Sequence, residues 1–369
     1  MEIKWNRNCK EYNGVYACDI LKSEGYNSCN DCDFYEPRGK KIFIIKLGAS
    51  GDVLRTTPIL KAIKKKYGSD CHITWLTKDF NRELLYENEL IDEVITLSED
   101  IMRLKYEQFD VLFNFEIDTP ATLIAREINA VQKFGYFFDS DGHPSAYNPK
   151  AEFYLNRALS DKINKSNTKT YQEMIFEIAE LDYNQEDYIL NLTDDEKELS
   201  VKLREPYKGL PIIGVVVGAG SRWPSKQWDR DNLIGLIKKL RGVILLLSGP
   251  NEPEGIQQEI VKELKNHQFP IMMNNPHNTL REFISAVNAC DLFICGDSLA
   301  LHIALALQKK TVGLFFCTPD WEVEGYGRLK KLVSPLLMKH FYTDEKVKEL
   351  GTSITIKEVI EKVKEFQTN

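Results

Sequence analysis

The feature that most constrains the fold is an alternation of short apolar strands and amphipathic helices that runs through the chain twice. The first series begins with a strand at 41–47 and a helical stretch at 53–67, and the second with a strand at 211–217 and a helix at 229–240. Apolar strands separated by helices pair in parallel through right-handed crossovers, so that helices cover both faces of the sheet. The pattern therefore predicts an α/β protein with two parallel sheets.

Changes in composition divide the chain into four parts. Its 369 residues, of which 43% are hydrophobic, are enough for two ordinary domain cores. A polar, acidic stretch follows the helical stripe at 168–182 and separates the two alternations. The predicted parts are a cysteine-rich module at 1–39, Rossmann-like domains at 40–190 and 191–345, and a segment at 346–369 whose helix is placed to pack back on the first domain.

Composition and charge argue against several classes of protein. The net charge of -7 disfavours a nucleic-acid-binding protein, because phosphate backbones require clustered positive charge. Residues 1–8 lack the apolar run of a secretory signal, and no stretch approaches the roughly 20 apolar residues that span a bilayer. The sequence thus predicts a cytoplasmic protein.

The first candidate site is the turn that joins the first strand to the first helix. It contains Gly48, Ser50, Gly51 and Asp52, and Arg55 follows in the helix. Ligands of parallel α/β folds gather outside the carboxyl ends of the strands, where helix N-termini offer free N–H groups. The turn is neither a P-loop nor a full Gly-x-Gly-x-x-Gly motif. These residues alone leave two interpretations open: an anion or substrate site, or a helix capped by Asp52.

The second candidate site is the equivalent turn of the second domain. It contains Gly218, Gly220, Ser221, Arg222 and Lys226, so that two cations accompany a glycine-rich backbone. Cations beside backbone N–H donors can neutralise a leaving diphosphate without a metal. The alternative is a solvated basic loop anchored by two tryptophans, which the tight clustering of cations and aromatic residues disfavours.

The third candidate site lies between a later strand and helix of the second domain. Gly296, Asp297 and Ser298 place a carboxylate and a hydroxyl at a helix N-terminus, where such groups can bind sugar hydroxyls or frame phosphates. His302 follows Ser298 at helical spacing, which by itself favours a buried, hydrogen-bonded histidine. Three turns of this kind on two α/β domains predict a cleft between the domains.

The order and spacing of the three motifs together resemble glycosyltransferase family 9, the ADP-heptose heptosyltransferases of lipopolysaccharide core synthesis. The resemblance runs from about residue 41 to about residue 328 and depends on the segments 46–58, 218–228 and 296–304. It implies a GT-B architecture with two facing Rossmann-like domains. The second domain would bind a nucleotide-sugar donor and the first a glycan or lipid-linked acceptor.

The resemblance also implies a role for individual residues. Asp52 matches the general base of the family, Lys226 the lysine at the donor phosphates, and Asp297 the donor-binding aspartate. The implied reaction is an inverting displacement that needs no cofactor. The implied donor-binding residues are Gly218, Gly220, Ser221, Arg222, Lys226, Gly296, Asp297, Ser298 and His302. The implied acceptor-side residues are Gly48, Ser50, Gly51 and Arg55.

One segment departs from the family pattern and leaves alternatives open. Family members commonly carry Gly-Pro-Thr after the strand that ends near Phe316, where this chain has Cys317 to Asp320. The departure bears on the donor more than on the reaction type. The alternatives are a transferase that modifies a protein or uses another nucleotide sugar, and a non-catalytic nucleotide-sugar-binding scaffold.

The module at 1–39 is loop-dominated and contains Cys9, Cys18, Cys29 and Cys32. Clustered thiols in a reducing compartment bind metal more often than they form disulfides. Cys29 and Cys32 form a C-x-x-C pair, whose spacing suits two thiolates on one tetrahedral metal. We predict a structural zinc at these four cysteines, with an iron–sulfur cluster as the alternative. The other cysteines, predicted to be buried apolar residues, are Cys71, Cys290, Cys295 and Cys317.

A basic side of the first helix bears on localisation. Lys61, Lys64, Lys65 and Lys66 form a run that is usually no more than a solvated face. With a lipid-linked acceptor, the same run would allow peripheral contact with an anionic membrane at its inner face. The solvated face is the favoured interpretation, and peripheral membrane contact is the alternative.

Overall fold

The computed structural model describes residues 4–99, 101–218 and 223–366. Gly220, Ser221 and Arg222 of the second candidate site therefore lie outside the described residues. The described chain contains two six-stranded sheets, preceded by the cysteine module. The predicted fold class, two facing Rossmann-like α/β domains, is confirmed.

The first sheet has the strand order β3-β2-β1-β4-β5-β6. Its strands are β1 (Lys41–Ile45), β2 (His72–Thr77), β3 (Glu93–Thr96), β4 (Gln108–Asn114), β5 (Asn129–Phe138) and β6 (Pro144–Ala146). All neighbours pair in parallel except β5 with β6. Four successive residues of β1 are buried, as expected of a strand covered on both faces.

The helices of the module and first domain are α1 (Asp19–Glu24), α2 (Ser50–Thr56), α3 (Ile59–Tyr67), α4 (Thr119–Glu127), α5 (Pro149–Ala158), α6 (Asp161–Lys165) and α7 (Tyr171–Ile178). The single helical stretch expected over 53–67 is thus two helices, α2 and α3. They meet at Pro58, which has no N–H to continue the helical hydrogen bonds. The segment after β2 forms a 3₁₀ helix, Asp79–Leu85.

The second sheet has the strand order β12-β11-β10-β7-β8-β9, and all its pairs are parallel. Its strands are β7 (Ile212–Val216), β8 (Val243–Leu247), β9 (Ile271–Met273), β10 (Leu292–Gly296), β11 (Lys310–Phe315) and β12 (Leu329–Val333). The remaining helices are α8 (Asp194–Arg204), α9 (Arg230–Ile237), α10 (Ile256–Glu263), α11 (Leu280–Asn288), α12 (Leu299–Ala306), α13 (Lys348–Thr352) and α14 (Ile356–Glu365).

Both sheets have the same order when strands are counted from the start of each domain. The order reverses beside β1 in the first sheet, between β1 and β4, and beside β7 in the second, between β7 and β10. Crevices form at such switch points, outside the carboxyl ends of the strands. All three sequence motifs follow strands at these two points.

The last helix packs on the second domain. Val359 and Val363 of α14 are buried in the apolar cluster that includes β7, β8 and α9. Ile354 accepts a 3.0 Å hydrogen bond from the indole of Trp228, which fixes the approach to the helix. The expected packing of this segment back onto the first domain is therefore replaced by packing on the second, because its apolar stripe matches the surface beside α9.

The two domains contact each other along their facing edges. The helix α2 of the first domain packs against α12 of the second. Arg157 forms a 3.0 Å ion pair with Glu322, and Arg281 donates a 2.9 Å hydrogen bond to the carbonyl of Glu83. These contacts hold the carboxyl ends of the two sheets toward one another.

Two observations concern the membrane interpretation. Among the described residues, no helix combines the length and the apolar character needed to cross a bilayer. Lys64 donates a 2.6 Å hydrogen bond to the carbonyl of Cys71, and Lys66 a 2.9 Å bond to that of Glu180. Two ammonium groups of the basic run therefore bind their own domain, while peripheral contact with a membrane stays a prediction.

Candidate active site

The first-domain turn is held by a carboxylate from the neighbouring strand across the switch point. Glu116, which follows β4, accepts hydrogen bonds from the backbone N–H groups of Leu47, at 2.8 Å, and of Gly48. It also forms a 2.9 Å ion pair with the buried Lys46. A Cβ atom at Gly48 would lie 3.3 Å from a carboxylate oxygen of Glu116, so a side chain there would crowd this anchor. Sequence analysis missed both Lys46 and Glu116.

Asp52 lies in the first turn of α2, and its carboxylate is partly exposed. It accepts a 2.9 Å hydrogen bond from Nε of Arg55, and Nζ of Lys46 lies 3.9 Å from its other oxygen. Burial acts to raise the pKa of Asp52, but the charges of Arg55 and Lys46 outweigh it and the pKa is lowered. Asp52 is therefore a carboxylate at neutral pH. Asp52 does not cap the helix, because the N-cap residue of α2 is Ala49, which makes no side-chain capping hydrogen bond.

The second-domain site is an ion pair between two of the sequence motifs. Nζ of Lys226 lies 2.7 Å from Oδ2 of Asp297, and Thr318 donates a 2.6 Å hydrogen bond to the same oxygen. Burial alone would raise the pKa of Asp297, yet the neighbouring ammonium of Lys226 holds it well below the usual range. Thr318 belongs to the segment that departs from the family pattern, so that segment contributes directly to the site.

His302 connects the two sites. Its Nδ1 lies 3.1 Å from the hydroxyl of Tyr188, and its Nε2 lies 3.9 Å from Oδ1 of Asp297. Desolvation, assisted by the charge of Arg55, lowers the pKa of His302 to about 4, so the ring is uncharged at neutral pH. A Cβ atom at Gly51 would lie 2.7 Å from Cδ2 of the ring. His302 is thus the buried, hydrogen-bonded histidine that its spacing favours, and it also contacts the acceptor-side turn.

A cavity of about 450 Å³ lies between the domains beside these groups. Ser50 and Phe80 line it from the first domain, and Gly218, Glu252 and Ser298 from the second. The Ser298 hydroxyl is buried without a hydrogen-bond partner among the described residues. The cavity is concave, contacts both domains and has space for part of a small-molecule ligand.

Glu252 is a further residue that the sequence analysis missed. It follows β8, the neighbour of β7, and accepts a 2.8 Å hydrogen bond from the N–H of Gly249. A Cβ atom at Gly218 would lie 2.5 Å from Cγ of Glu252, so these two turns approach closely. Acidic residues after the second strand of a Rossmann unit bind ribose hydroxyls. The position after this strand could have identified Glu252 from the sequence. However, β8 is followed by two acidic residues, Glu252 and Glu254, and the local sequence does not indicate which of them faces the cavity.

The four cysteines of the module lie around one cavity, of about 290 Å³. They are Cys9, Cys18, Cys29 and Cys32, and all four are free thiols. Over the described ranges, no group of three or more His, Cys, Asp or Glu side chains is placed to hold a metal ion. Zinc at these cysteines therefore stays a prediction. The other four cysteines are buried in the two domains, as expected.

The chain belongs to glycosyltransferase family 9 (heptosyltransferase), whose family model matches residues 101–350. It is 24% identical to a lipooligosaccharide heptosyltransferase 2 of Campylobacter jejuni over an alignment of 286 residues. The alignment covers 74% of this chain and 81% of that protein. The fold is similar to that of a family 9 glycosyltransferase from Veillonella parvula, with a TM-score of 0.66 and 18% sequence identity. That comparison covers 89% of this chain and 97% of the Veillonella chain. It is also similar to E. coli ADP-heptose lipopolysaccharide heptosyltransferase II, with a TM-score of 0.63, 18% identity, and coverage of 89% and 98%. The protein is therefore a glycosyltransferase, and the resemblance seen in the sequence motifs is confirmed.

Proposed function

We propose that the protein is an inverting heptosyltransferase that moves heptose from ADP-heptose to a saccharide hydroxyl of a lipopolysaccharide-type core. The observation that carries the proposal is the approach of the two candidate sites, through the contact of Gly51 with His302. An ionised carboxylate on the first domain thereby faces a buried ammonium–carboxylate pair on the second. The names of the Campylobacter and E. coli relatives support heptose as the sugar.

In the proposed reaction, Asp52 removes the proton from the acceptor hydroxyl as its oxygen attacks the anomeric carbon. The bond between that carbon and the diphosphate oxygen breaks, and ADP leaves with the electron pair. Attack opposite to the leaving group inverts the anomeric configuration. Because its pKa is lowered, Asp52 is ionised at neutral pH, and partial release of its hydrogen bond from Arg55 would make it a stronger proton acceptor.

Lys226 supplies the positive charge for the departing diphosphate. In the free protein its ammonium is neutralised by Asp297 at 2.7 Å, which keeps the cation in place without leaving a buried charge unpaired. A donor diphosphate would share Lys226 with Asp297. The backbone N–H groups at the start of α12 are further donors for phosphate or sugar oxygens, beside the hydroxyl of Ser298, which has no hydrogen-bond partner within the described part of the chain.

The cleft cavity would hold the nucleoside of the donor. We assign Glu252 to the ribose hydroxyls, because its carboxylate lies beyond β8 and lines the same cavity as Gly218 and Ser298. The apolar residues Phe80 and Phe283 line other parts of the wall and would contact the base. This placement puts the diphosphate between the nucleoside and the Lys226–Asp297 pair.

The first experiment is thermal melting with ADP, GDP and UDP, each with its nucleotide sugars, because a ligand that binds only the folded form raises the melting temperature. Stabilisation by ADP and ADP-heptose would support the proposal. Transfer is then followed by mass spectrometry with a heptose-deficient core oligosaccharide as acceptor, and the anomeric configuration of the product by NMR. Stabilisation by uridine or guanosine nucleotides alone would overturn the ADP-heptose assignment, and a product with retained configuration would overturn the mechanism.

A further inference from the structure

The cysteine module has very little hydrophobic core. Over residues 4–39 its regular structure consists of the six-residue α1 and one isolated bridge between Cys9 and Pro37. Cys9 and Leu21 are its buried apolar residues. Large apolar side chains that are at least 40% exposed outnumber them: Trp5, Val15, Tyr16, Phe34 and Tyr35. A segment of this size needs a metal, disulfides or packing on another surface to hold one structure.

The thiols are the groups around which the module is arranged. Cys9, Cys18 and the Cys29–Cys32 pair lie on three separate parts of the module, yet all four thiols line the one cavity of about 290 Å³. Cys9 forms an isolated antiparallel β-bridge with Pro37, and Cys18 is the residue immediately before α1. Trp5, Tyr12, Phe34 and Tyr35 form much of the remaining wall. Cys9 is buried there, and Cys18, Cys29 and Cys32 are half-buried, so the thiols stay accessible to an incoming metal ion.

We propose that these four cysteines bind one metal centre through their thiolates and that this centre closes the module. Both Zn²⁺ and iron–sulfur clusters are held by four cysteine thiolates in small loop-rich segments. Among the described residues, no three such side chains are yet close enough together to hold one ion. Binding therefore draws the thiols together across the cavity, which couples metal binding to closure of the module.

The centre lies away from the reaction. The module joins the first domain at Gly39, whose N–H donates a 3.1 Å hydrogen bond to the carbonyl of Asp70. These residues precede β1 and β2, so the module is at the amino ends of the parallel strands. The catalytic turns follow the carboxyl ends. The metal is therefore assigned a structural role in the module, independent of the proposed heptosyl transfer.

The test is metal analysis of the full chain, purified under reducing conditions without oxygen, and of the same protein reconstituted with Zn²⁺ or with Fe²⁺ and sulfide. We expect about one Zn²⁺ per chain, or iron with acid-labile sulfide, which distinguishes the two kinds of centre. C29S/C32S, which removes two ligands, is expected to lose at least about four-fifths of this metal. The matched control C290A removes a buried thiol of the second domain and is expected to keep it.

A second readout covers the case in which the serine variant fails to fold. Titration of wild-type thiols with a mercurial reagent is expected to release the metal in step with modification of four cysteines. Hydrogen exchange should then become faster within residues 4–39 and stay unchanged in the two sheets. A protein that binds no metal after both reconstitutions, or whose metal survives C29S/C32S, would overturn the proposal.

Discussion

The two domains share one strand order, yet the sites at their switch points have opposite arrangements of charge. In the first domain a carboxylate, Asp52, lies between two cations, Arg55 and Lys46. In the second a single cation, Lys226, is held by the carboxylate of Asp297. The same fold therefore presents an ionised carboxylate on one side of the cleft and a cation paired with a carboxylate on the other.

The difference follows from which strand supplies the counter-charge. In the first domain Glu116, after β4, neutralises Lys46 and binds the turn, so that Arg55 is left for Asp52. In the second domain the equivalent strand, β10, supplies Asp297, which neutralises Lys226 directly. A buried charge that loses its partner destabilises the protein, so removal of any one charged residue from either arrangement should lower the free energy of unfolding.

The largest expected effect comes from removing the carboxylate on the acceptor side. Asp52→Asn should lower kcat about 1,000-fold, within the range for loss of a general base, while ADP affinity stays within about twofold. Steady-state kinetics and calorimetry would measure the two quantities. Asp118→Asn is the matched control, because Asp118 caps α4 at the same edge of the sheet and asparagine is an equally good cap. Wild-type turnover in Asp52→Asn would exclude Asp52 as the base.

The second effect tests the cation on the donor side. Lys226→Gln should lower kcat/KM about 100-fold and weaken ADP binding, because both the leaving diphosphate and Asp297 lose their counter-charge. Lys226→Arg keeps the charge and should recover part of the binding. Binding of ADP is measured by calorimetry beside the kinetics. Equal ADP affinity in the glutamine variant and the wild type would place the diphosphate elsewhere.

The third effect tests the contact between the two sites. Gly51→Ala places a methyl group against the His302 ring and should lower kcat about tenfold through displacement of the turn. In the double variant Gly51→Ala/His302→Ala the ring is absent, and part of the loss should be recovered. A double-mutant cycle on kcat measures this coupling. Strictly additive losses would mean that the contact does not couple the two domains.

The smallest effect concerns acid stability. The pKa of His302 is lowered from 6.5 to about 4, so between these values the unfolded chain binds a proton that the folded protein does not. The free energy of unfolding should therefore fall as pH falls from about 6.5 to about 4, by on the order of 3 kcal/mol from this group. Urea unfolding across this range measures it.

His302→Gln provides the comparison for that pH series, because glutamine does not titrate. Its stability should decline less steeply over the same range, even if it is lower overall through loss of the contact with Tyr188. The carboxylates with lowered pKa values, Asp52 and Asp297, lose stabilising charge only at lower pH and remain in both proteins. Parallel curves for the two proteins would show that His302 does not account for the acid sensitivity.

The sequence by itself determined the class of fold and the positions of the candidate turns. Runs such as β8, whose five residues are all apolar and buried, specify their structure locally. The glycine-rich turns follow strands, which is also a local property. The break at Pro58 is local too, although we predicted one helical stretch there. Asp52, Lys226 and Asp297 could be named because their motifs lie at those turns, although their roles came from resemblance to a family.

Only the tertiary structure decided which charges meet. Lys226 and Asp297 are 71 residues apart, and Gly48 and Glu116 are 68 apart, so no local periodicity connects them. Nothing in the local sequence distinguishes Glu116 and Glu252 from other glutamates. Their positions near the switch points follow from the order of the strands in each sheet. The side of the molecule on which α14 packs was likewise undetermined, because an amphipathic helix specifies that it has an apolar face but not which surface covers it.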